Sequence, residues 1–259
     1  MRIATWNING LKERHEELLR WLQDNEPDVM GLQEIKTENA IRLNRFRDDL
    51  QKMGYHAEFH SEARYRGVAI LSKWPLDVTR KGLPGQTGLG ARLLSASTAG
   101  WSFTTVCVPY KPGIGGPKLT WLDSLSNYLR TRADGASPAV LCGDFNIAPA
   151  PIDNGVYQPK GQPDERRIGH RSEEQSCIRS LQEAGWFDLV RKANPGCRMF
   201  SYWHKPELYH QNKGLRTDLA FGDHAACERL QAAKTDRSPL DQRPKDKRQD
   251  HAPVIVDLA

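Results

Sequence analysis

No stretch of the chain approaches the roughly 18 consecutive apolar residues that a membrane-spanning helix requires, so no membrane partner is expected. The opening Met1-Arg2-Ile3-Ala4-Thr5-Trp6 is too polar for the apolar core of a secretory signal, and a cytoplasmic location is the default expectation. Cysteine is sparse and scattered. Cys107, Cys142, Cys177, Cys197 and Cys227 form no CxxC pair, which signals neither a disulfide framework nor a zinc site and reads as reduced thiols in core or surface. Repeats, low-complexity tracts and Pro/Gly/Ser linkers are missing too, so the chain is expected to fold as one domain over 1–259. The glycines from Gly113 to Gly116 are not followed by the Lys-Ser/Thr of a nucleotide phosphate loop. No heptad seam appears, which leaves a monomer as the expected state.

What the 259 residues do contain is 38% hydrophobic and 27% charged side chains with a net charge of +5, a balance that suits a soluble globular domain. Basic residues gather at Arg64 to Lys73, Lys160 to Arg171 and Arg243 to Arg248, where they can meet a polyanion or simply face solvent. Apolar alternation and β-branched content predict strands at about 2–8, 28–33, 67–72, 102–108, 138–143, 216–222 and 253–258. Leu11, Leu18, Leu19 and Leu22 recur at helical spacing, as do Leu119, Leu122, Leu125 and Leu129. Strands interleaved with helices in irregular order indicate an α/β sandwich with mixed sheets.

Polar residues with chemistry cluster at the predicted strand ends, where loops build sites. Asn7 follows the first strand and Glu34 the second. Oxygen donors of this kind suit Mg²⁺, which keeps several waters and takes one or two carboxylates. The apolar run Val140-Leu141-Cys142 passes through Gly143 into Asp144-Phe145-Asn146, and residues two apart share one side of an extended segment. Asp144 can accept a proton from an attacking water, while Asn146 orients that water or donates to charge developing on phosphorus. Read in isolation, the same tetrapeptide is an ordinary Asp/Asn turn. Asp250-His251 precedes the last strand and Asp218 opens another, so a carboxylate and an imidazole can meet across strands, one fixing the tautomer of the other.

Eight separated stretches run in one order along essentially the whole chain: WNINGL (Trp6 to Leu11), PDVMGLQEIK (Pro27 to Lys36), RGVAILSK (Arg66 to Lys73), YKPG (Tyr110 to Gly113), KLTWLDSLSNYL (Lys118 to Leu129), GDFNIAP (Gly143 to Pro149), NKGLRTDLA (Asn212 to Ala220) and DHAPV (Asp250 to Val254). In register, they resemble the exonuclease III family of apurinic/apyrimidinic endonucleases, within the endonuclease/exonuclease/phosphatase fold. The resemblance implies a four-layer α/β sandwich of two packed mixed sheets flanked by helices, with one Mg²⁺-dependent phosphodiesterase site, Mn²⁺ substituting. It implies a metal held by Glu34 with Asn7 and Asp250, approached by Asp144, Asn146 and His251. It also implies Tyr110 near the scissile phosphate and His251 oriented by Asp218. The substrate implied is double-stranded DNA at abasic sites or 3′ ends, cut to a 3′-hydroxyl and a 5′-phosphate in base excision repair, gripped by Arg64, Tyr65, Lys118 and Arg216. Trp203 and Leu215, with Tyr202, are candidates for the wall of a pocket for an extruded nucleotide, and equally for core.

The sequence departs from the family pattern where Gln249 stands before Asp250 instead of serine, where Gly113 replaces an asparagine, and in SYWHKP (Ser201 to Pro206), which keeps Trp203 but not the acidic and basic residues that usually follow. Two alternatives stay open at this level: the same chemistry on RNA or another phosphate ester, and a catalytically silent DNA-binding relative.

Overall fold

The structure, a computed structural model, describes residues 1–62, 66–110, 117–130, 137–156 and 171–259. Alternating side chains sort each strand between two layers. Along β1 (Arg2–Asn7), Ile3 enters the layer between the sheets, whereas Ala4 and Trp6 enter the layer beneath helices.

β1 lies inside a six-stranded sheet ordered β12 (Leu230–Thr235), β14 (Val254–Leu258), β1, β2 (Val29–Gln33), β4 (Arg66–Ser72), β3 (His56–Glu62). A second six-stranded sheet runs β5 (Asp77–Lys81), β6 (Leu93–Thr98), β7 (Trp101–Cys107), β8 (Ala139–Asp144), β11 (Asp218–Gly222), β9 (Phe187–Asp188). β10 (Tyr202–Trp203) and β13 (Asp250–His251) form a two-stranded ribbon. The β1–β2 and β7–β8 pairs are parallel, and the remaining strand pairs antiparallel. Ile3, Val29, Val68 and Ile70 of the first sheet pack on Leu94, Phe103, Val140 and Ala220 of the second.

Helices complete the four layers. α1 (Leu11–Asn25) and α2 (Ala40–Lys52) bury Leu11, Leu18, Trp21, Leu22, Phe46 and Leu50 on the outer face of the first sheet. α3 (Pro117–Arg130) and α4 (Ser172–Glu183) bury Trp121, Leu122, Leu125, Leu129, Ile178 and Leu181 on the second. The protein is thus a four-layer α/β sandwich, and each of the seven expected strands and both expected helices has a counterpart. The strands that sequence reading missed include the sheet edges β3, β5, β9 and β12. β5 is mostly exposed DVTRK, and edge strands carry charge in place of an apolar face. α2 escaped notice because Phe46 and Leu50 are its only fully buried residues.

Two glycines set how closely strands approach. A Cβ on Gly31 would lie 2.6 Å from the Thr105 Oγ1 of the opposing sheet. Gly143 has φ +145°, and a Cβ there would stand 1.9 Å from the Val106 carbonyl oxygen. Backbone cannot swing aside as a side chain can, so Gly143→Ala is expected to cost at least about 1–3 kcal/mol, the usual cost of a forbidden backbone conformation. Urea unfolding checks this, and wild-type stability in the variant would contradict it.

Candidate active site

β1 and β2 are parallel, as are β7 and β8, and all four end at the same edge of the sandwich with Asn7, Gln33, Cys107 and Asp144. β11 runs antiparallel to β8 and begins there with Asp218, which stands opposite Asp144. The ribbon brings His251 to the same place, pinned by the Trp6 indole, which donates to the His251 carbonyl oxygen at 3.1 Å. Topology therefore collects polar side chains from residues as far apart in sequence as Asn7 and His251.

At the centre is the buried Asp144 carboxylate. Asn7 Nδ2 donates to its Oδ2 across the two sheets at 2.9 Å, and the Asn146 amide donates to its Oδ1 at 2.8 Å. Asn146 takes a left-handed φ of 53°, which asparagine tolerates. Its Nδ2 donates to the Val108 carbonyl at 3.0 Å, leaving Oδ1 as the acceptor end. His251 Nδ1 lies 2.8 Å from Asp218 Oδ2, and its Nε2 lies 3.9 Å from Asp144 Oδ2. The Ser201 hydroxyl donates to Asp218 Oδ2 at 2.6 Å while accepting from the Asp218 amide at 3.0 Å. The Tyr202 ring lies over the His251 ring, centroids 4.4 Å apart.

The electrostatics follow from this crowding. Burial, reinforced by Asp218 and Glu34, holds the Asp144 carboxyl above the ordinary carboxylate range, against the opposing pull of His251 and the Asn146 amide. Burial opposes the His251 imidazolium, but Asp218 and Asp144 outweigh it and lift His251 above an ordinary histidine. Burial, then the nearby Asp250 and Tyr110, push the Tyr202 phenol up to about 12.

Glu34 follows β2 with φ 54°, partly exposed, its Oε2 2.8 Å from Lys36 Nζ. Lys36 Nζ also donates to Asn9 Oδ1. Two clusters of three side chains each bring ligand atoms within 4.8 Å of one another: Glu34 with Cys107 and Asp144, and Asp144 with Asp218 and His251. The structure thus brings together Asn7, Glu34, Asp144, Asn146, Asp218 and His251. Asp250 stands aside, its Oδ2 receiving Arg14 Nη2 and Asn9 Nδ2, each at 3.1 Å. Tyr110 is 59% exposed at the rim, near Tyr202.

The expected DNA grips fare differently. Arg64 and Tyr65 lie outside the described residues. Lys118 is 1% exposed, its Nζ 2.6 Å from Glu174 Oε1 and donating to the Asn146 carbonyl at 2.8 Å. It props the Asp144–Asn146 turn from inside instead of reaching a phosphate. Arg216 is 1% exposed between Asp153 and Asp188, with contacts of 2.6–3.1 Å to both. All of its guanidinium nitrogens are committed, so it is a structural cation and not a DNA contact. Trp203 is core, packed with Phe200, Tyr209, Leu240 and Ala252, whereas Leu215 is half-buried and bridges to Tyr202 and Asn154. Of the basic runs, Arg66 pairs with Glu62, Lys73 with Asp28, and Arg243 with Glu17, which reduces the free positive charge.

Sequence reading missed Cys107, Ser201 and Lys118's true partner Glu174. Only the placement of Cys107 at the end of an expected strand signalled its position, and nothing in the sequence announced the other two.

The description of the Endonuclease/Exonuclease/phosphatase family matches residues 4–230. The chain is 29% identical to the exodeoxyribonuclease III of Haemophilus influenzae, with 100% of each chain covered. It is 28% identical to the DNA repair nuclease APEX1 of Danio rerio, over 100% of this chain and 82% of that one. Among solved structures, an AP endonuclease from Archaeoglobus fulgidus superposes with a TM-score of 0.86 at 29% identity, covering 100% of this chain and 99% of its own. The 3′ phosphatase NExo from Neisseria, bound to a product DNA hairpin, does so with the same score, identity and coverage.

Two outcomes follow from the site's chemistry. Arg216→Ala leaves buried Asp188 without its cation and Asp153 with Arg191 alone, and is expected to lower stability by about 3–5 kcal/mol; an unfolding midpoint close to wild type would contradict the structural role. Asp218→Asn removes the larger of the two charges that together outweigh burial, so the His251 titration, followed by imidazole NMR in metal-free protein, falls by at least about one pH unit. An unmoved titration would mean that Asp218 does not set the charge state of His251.

Proposed function

The chain belongs to the endonuclease/exonuclease/phosphatase family, in its exonuclease III branch, and from that premise we propose that it is a metal-dependent DNA repair phosphodiesterase. It cuts double-stranded DNA at abasic sites, at 3′ ends, or both, leaving a 3′-hydroxyl and a 5′-phosphate. The observation that carries this reading is the convergence of Glu34, Asp144, Asp218 and His251 on one edge of the sandwich. The printed activities of the relatives support it, including the Neisseria enzyme's action at 3′ ends and its DNA-bound state.

The donor set fits a hard divalent cation. Glu34 and Asp144 would hold it, with the amide groups of Asn7 and Asn146 beside them, and a cation there would favour the charged form of the Asp144 carboxyl, which burial first, and then Asp218 and Glu34, disfavour. Oxygen donors favour Mg²⁺, with Mn²⁺ as a substitute. Once bound, such an ion polarises the phosphoryl oxygen and makes water more acidic.

The chain's own groups supply the rest. Asp144 accepts the proton of the attacking water, whose approach Asn7 and Asn146 orient. His251, kept charged by Asp218, directs Nε2–H toward the charge that grows on the phosphate oxygens. Asp218 holds one imidazole nitrogen so that the other faces the substrate. Ser201 and the Tyr202 ring hold that pair in place, and Tyr110 stands at the rim near the phosphate. Attack is direct, so no covalent intermediate with the protein is needed.

The test uses purified protein with Mg²⁺ on two duplexes, one with a single abasic analogue and one with a recessed 3′ end. At least one is expected to be cut, EDTA abolishes the products, and Glu34→Ala, Asp144→Ala and His251→Ala each lose about 100-fold or more while remaining folded. Folded wild-type protein that leaves both duplexes intact in Mg²⁺ would overturn the proposal.

A further inference from the structure

Cys107 is placed as few core thiols are. It ends β7 in parallel register with Asp144 at the end of β8, so the two side chains lie on the same face of the second sheet. Buried thiols usually pack as small hydrophobes. Cys107 does touch the inter-sheet core, yet its Sγ, the Asp144 carboxylate and the Glu34 carboxylate all lie within 4.8 Å of one another. These are three ligand atoms from three separate strand ends, one soft and two hard. Arg92 adds a cation to the thiol's surroundings, with Nη1 3.9 Å from Cys107 Sγ and donating to the Cys107 carbonyl at 3.0 Å. Burial, then Asp144 and Glu34, hold the Cys107 thiol well above an ordinary cysteine and outweigh this guanidinium, so the sulfur becomes a ligand by exchanging its proton for a cation.

An oxygen-only site for Mg²⁺ has no use for sulfur. Thiolate binds softer ions preferentially, and affinity for divalent ions at mixed sites rises steeply from Mn²⁺ towards Co²⁺ and Zn²⁺. Three protein ligands with one position left for water is also the arrangement in which Zn²⁺ is commonly held by catalytic sites. The tetrahedral bond lengths for zinc place ligand atoms roughly 3.5 Å apart, so the three side chains need only close inward.

We propose that Cys107, Glu34 and Asp144 form a thiophilic cation site overlapping the catalytic one, which takes Zn²⁺ or Co²⁺ in competition with Mg²⁺. Binding forms one metal–sulfur bond and releases the thiol proton to solvent, with no change of oxidation state. Because Glu34 and Asp144 serve both ions, the softer ion displaces the harder one, and zinc acts as an inhibitor. That functional consequence rests on the nuclease reading; the existence of the site does not.

Metal-free full-length protein titrated with Co²⁺ tests it. The expected result is a near-ultraviolet thiolate-to-cobalt charge-transfer band that saturates at one ion per chain, is lost in Cys107→Ser, persists in Cys197→Ser, and weakens when excess Mg²⁺ is added. Cys107→Ala is the second variant should serine disturb the buried position. A folded wild type without the band, or a band that survives both Cys107 substitutions, overturns the proposal. In the cleavage assay, the Zn²⁺ concentration for half-inhibition rises by about tenfold or more in Cys107→Ser, and an unchanged value counts against the site. A protein that shows the band but cuts neither duplex keeps the site and loses the nuclease reading, whereas one that cuts with Mg²⁺ and shows no band does the reverse.

Discussion

Everything at this edge of the molecule depends on one carboxylate being out of water. Asp144 is buried where the two sheets meet, and Asn7 reaches across from the first sheet to bind it. A carboxylate so placed is costly unless it is paired and hydrogen-bonded. Its partners are an amide side chain, a backbone amide and an imidazolium nearly 4 Å away, while Asp218 and Glu34 add charge of the same sign. The site therefore holds more negative charge than its own residues neutralise, a condition that a divalent ion and the chemistry of a phosphodiester both resolve.

The scaffold supports that placement from behind. Glycine at 143 lets β8 lie against β7, and Gly31 lets the opposing sheet come close enough for Gln33, which bonds Thr5 of its own sheet, to bond Thr105 across the gap as well, each at 2.8 Å. Lys118 and Glu174 form a buried pair beneath the turn that carries Asn146, and Arg216 ties the start of β11 to Asp153 and Asp188. Such buried ion pairs contribute little net stability compared with apolar replacements, but losing one partner is costly. They act here as spacers that fix the height of Asp144 and Asp218. Lys118 and Arg216 are cations withdrawn from solvent, which places the recognition of a polyanion on other residues.

Much of this was readable from sequence, for a physical reason. The seven strands that were anticipated are central or buried, and burial imposes apolar patterning. The edge strands β3, β5, β9 and β12 carry no such demand and went unseen. Asn7, Glu34, Asp144 and Asp218 were found because they sit where an apolar run stops, and His251 because an aspartate precedes a final strand. The roles of Lys118 and Arg216 were misjudged for the converse reason, and Trp203 stood open between pocket wall and core. A lysine or arginine in sequence carries no mark of being buried, and a tryptophan in a short polar segment fits pocket wall and core alike until Phe200, Tyr209 and Leu240 are seen around it. Cys107 was read as an ordinary thiol because its proximity to Glu34 and Asp144 arises only when β2, β7 and β8 are brought side by side.

The functional reading thus stands on where a cation sits. Anomalous diffraction from crystals soaked in Mn²⁺ measures this most directly. The expected result is a peak between the Glu34 and Asp144 carboxylates, at coordination distance from both. A peak only at other acidic residues, with Glu34 and Asp144 left unliganded, would contradict the account of how this sheet edge works.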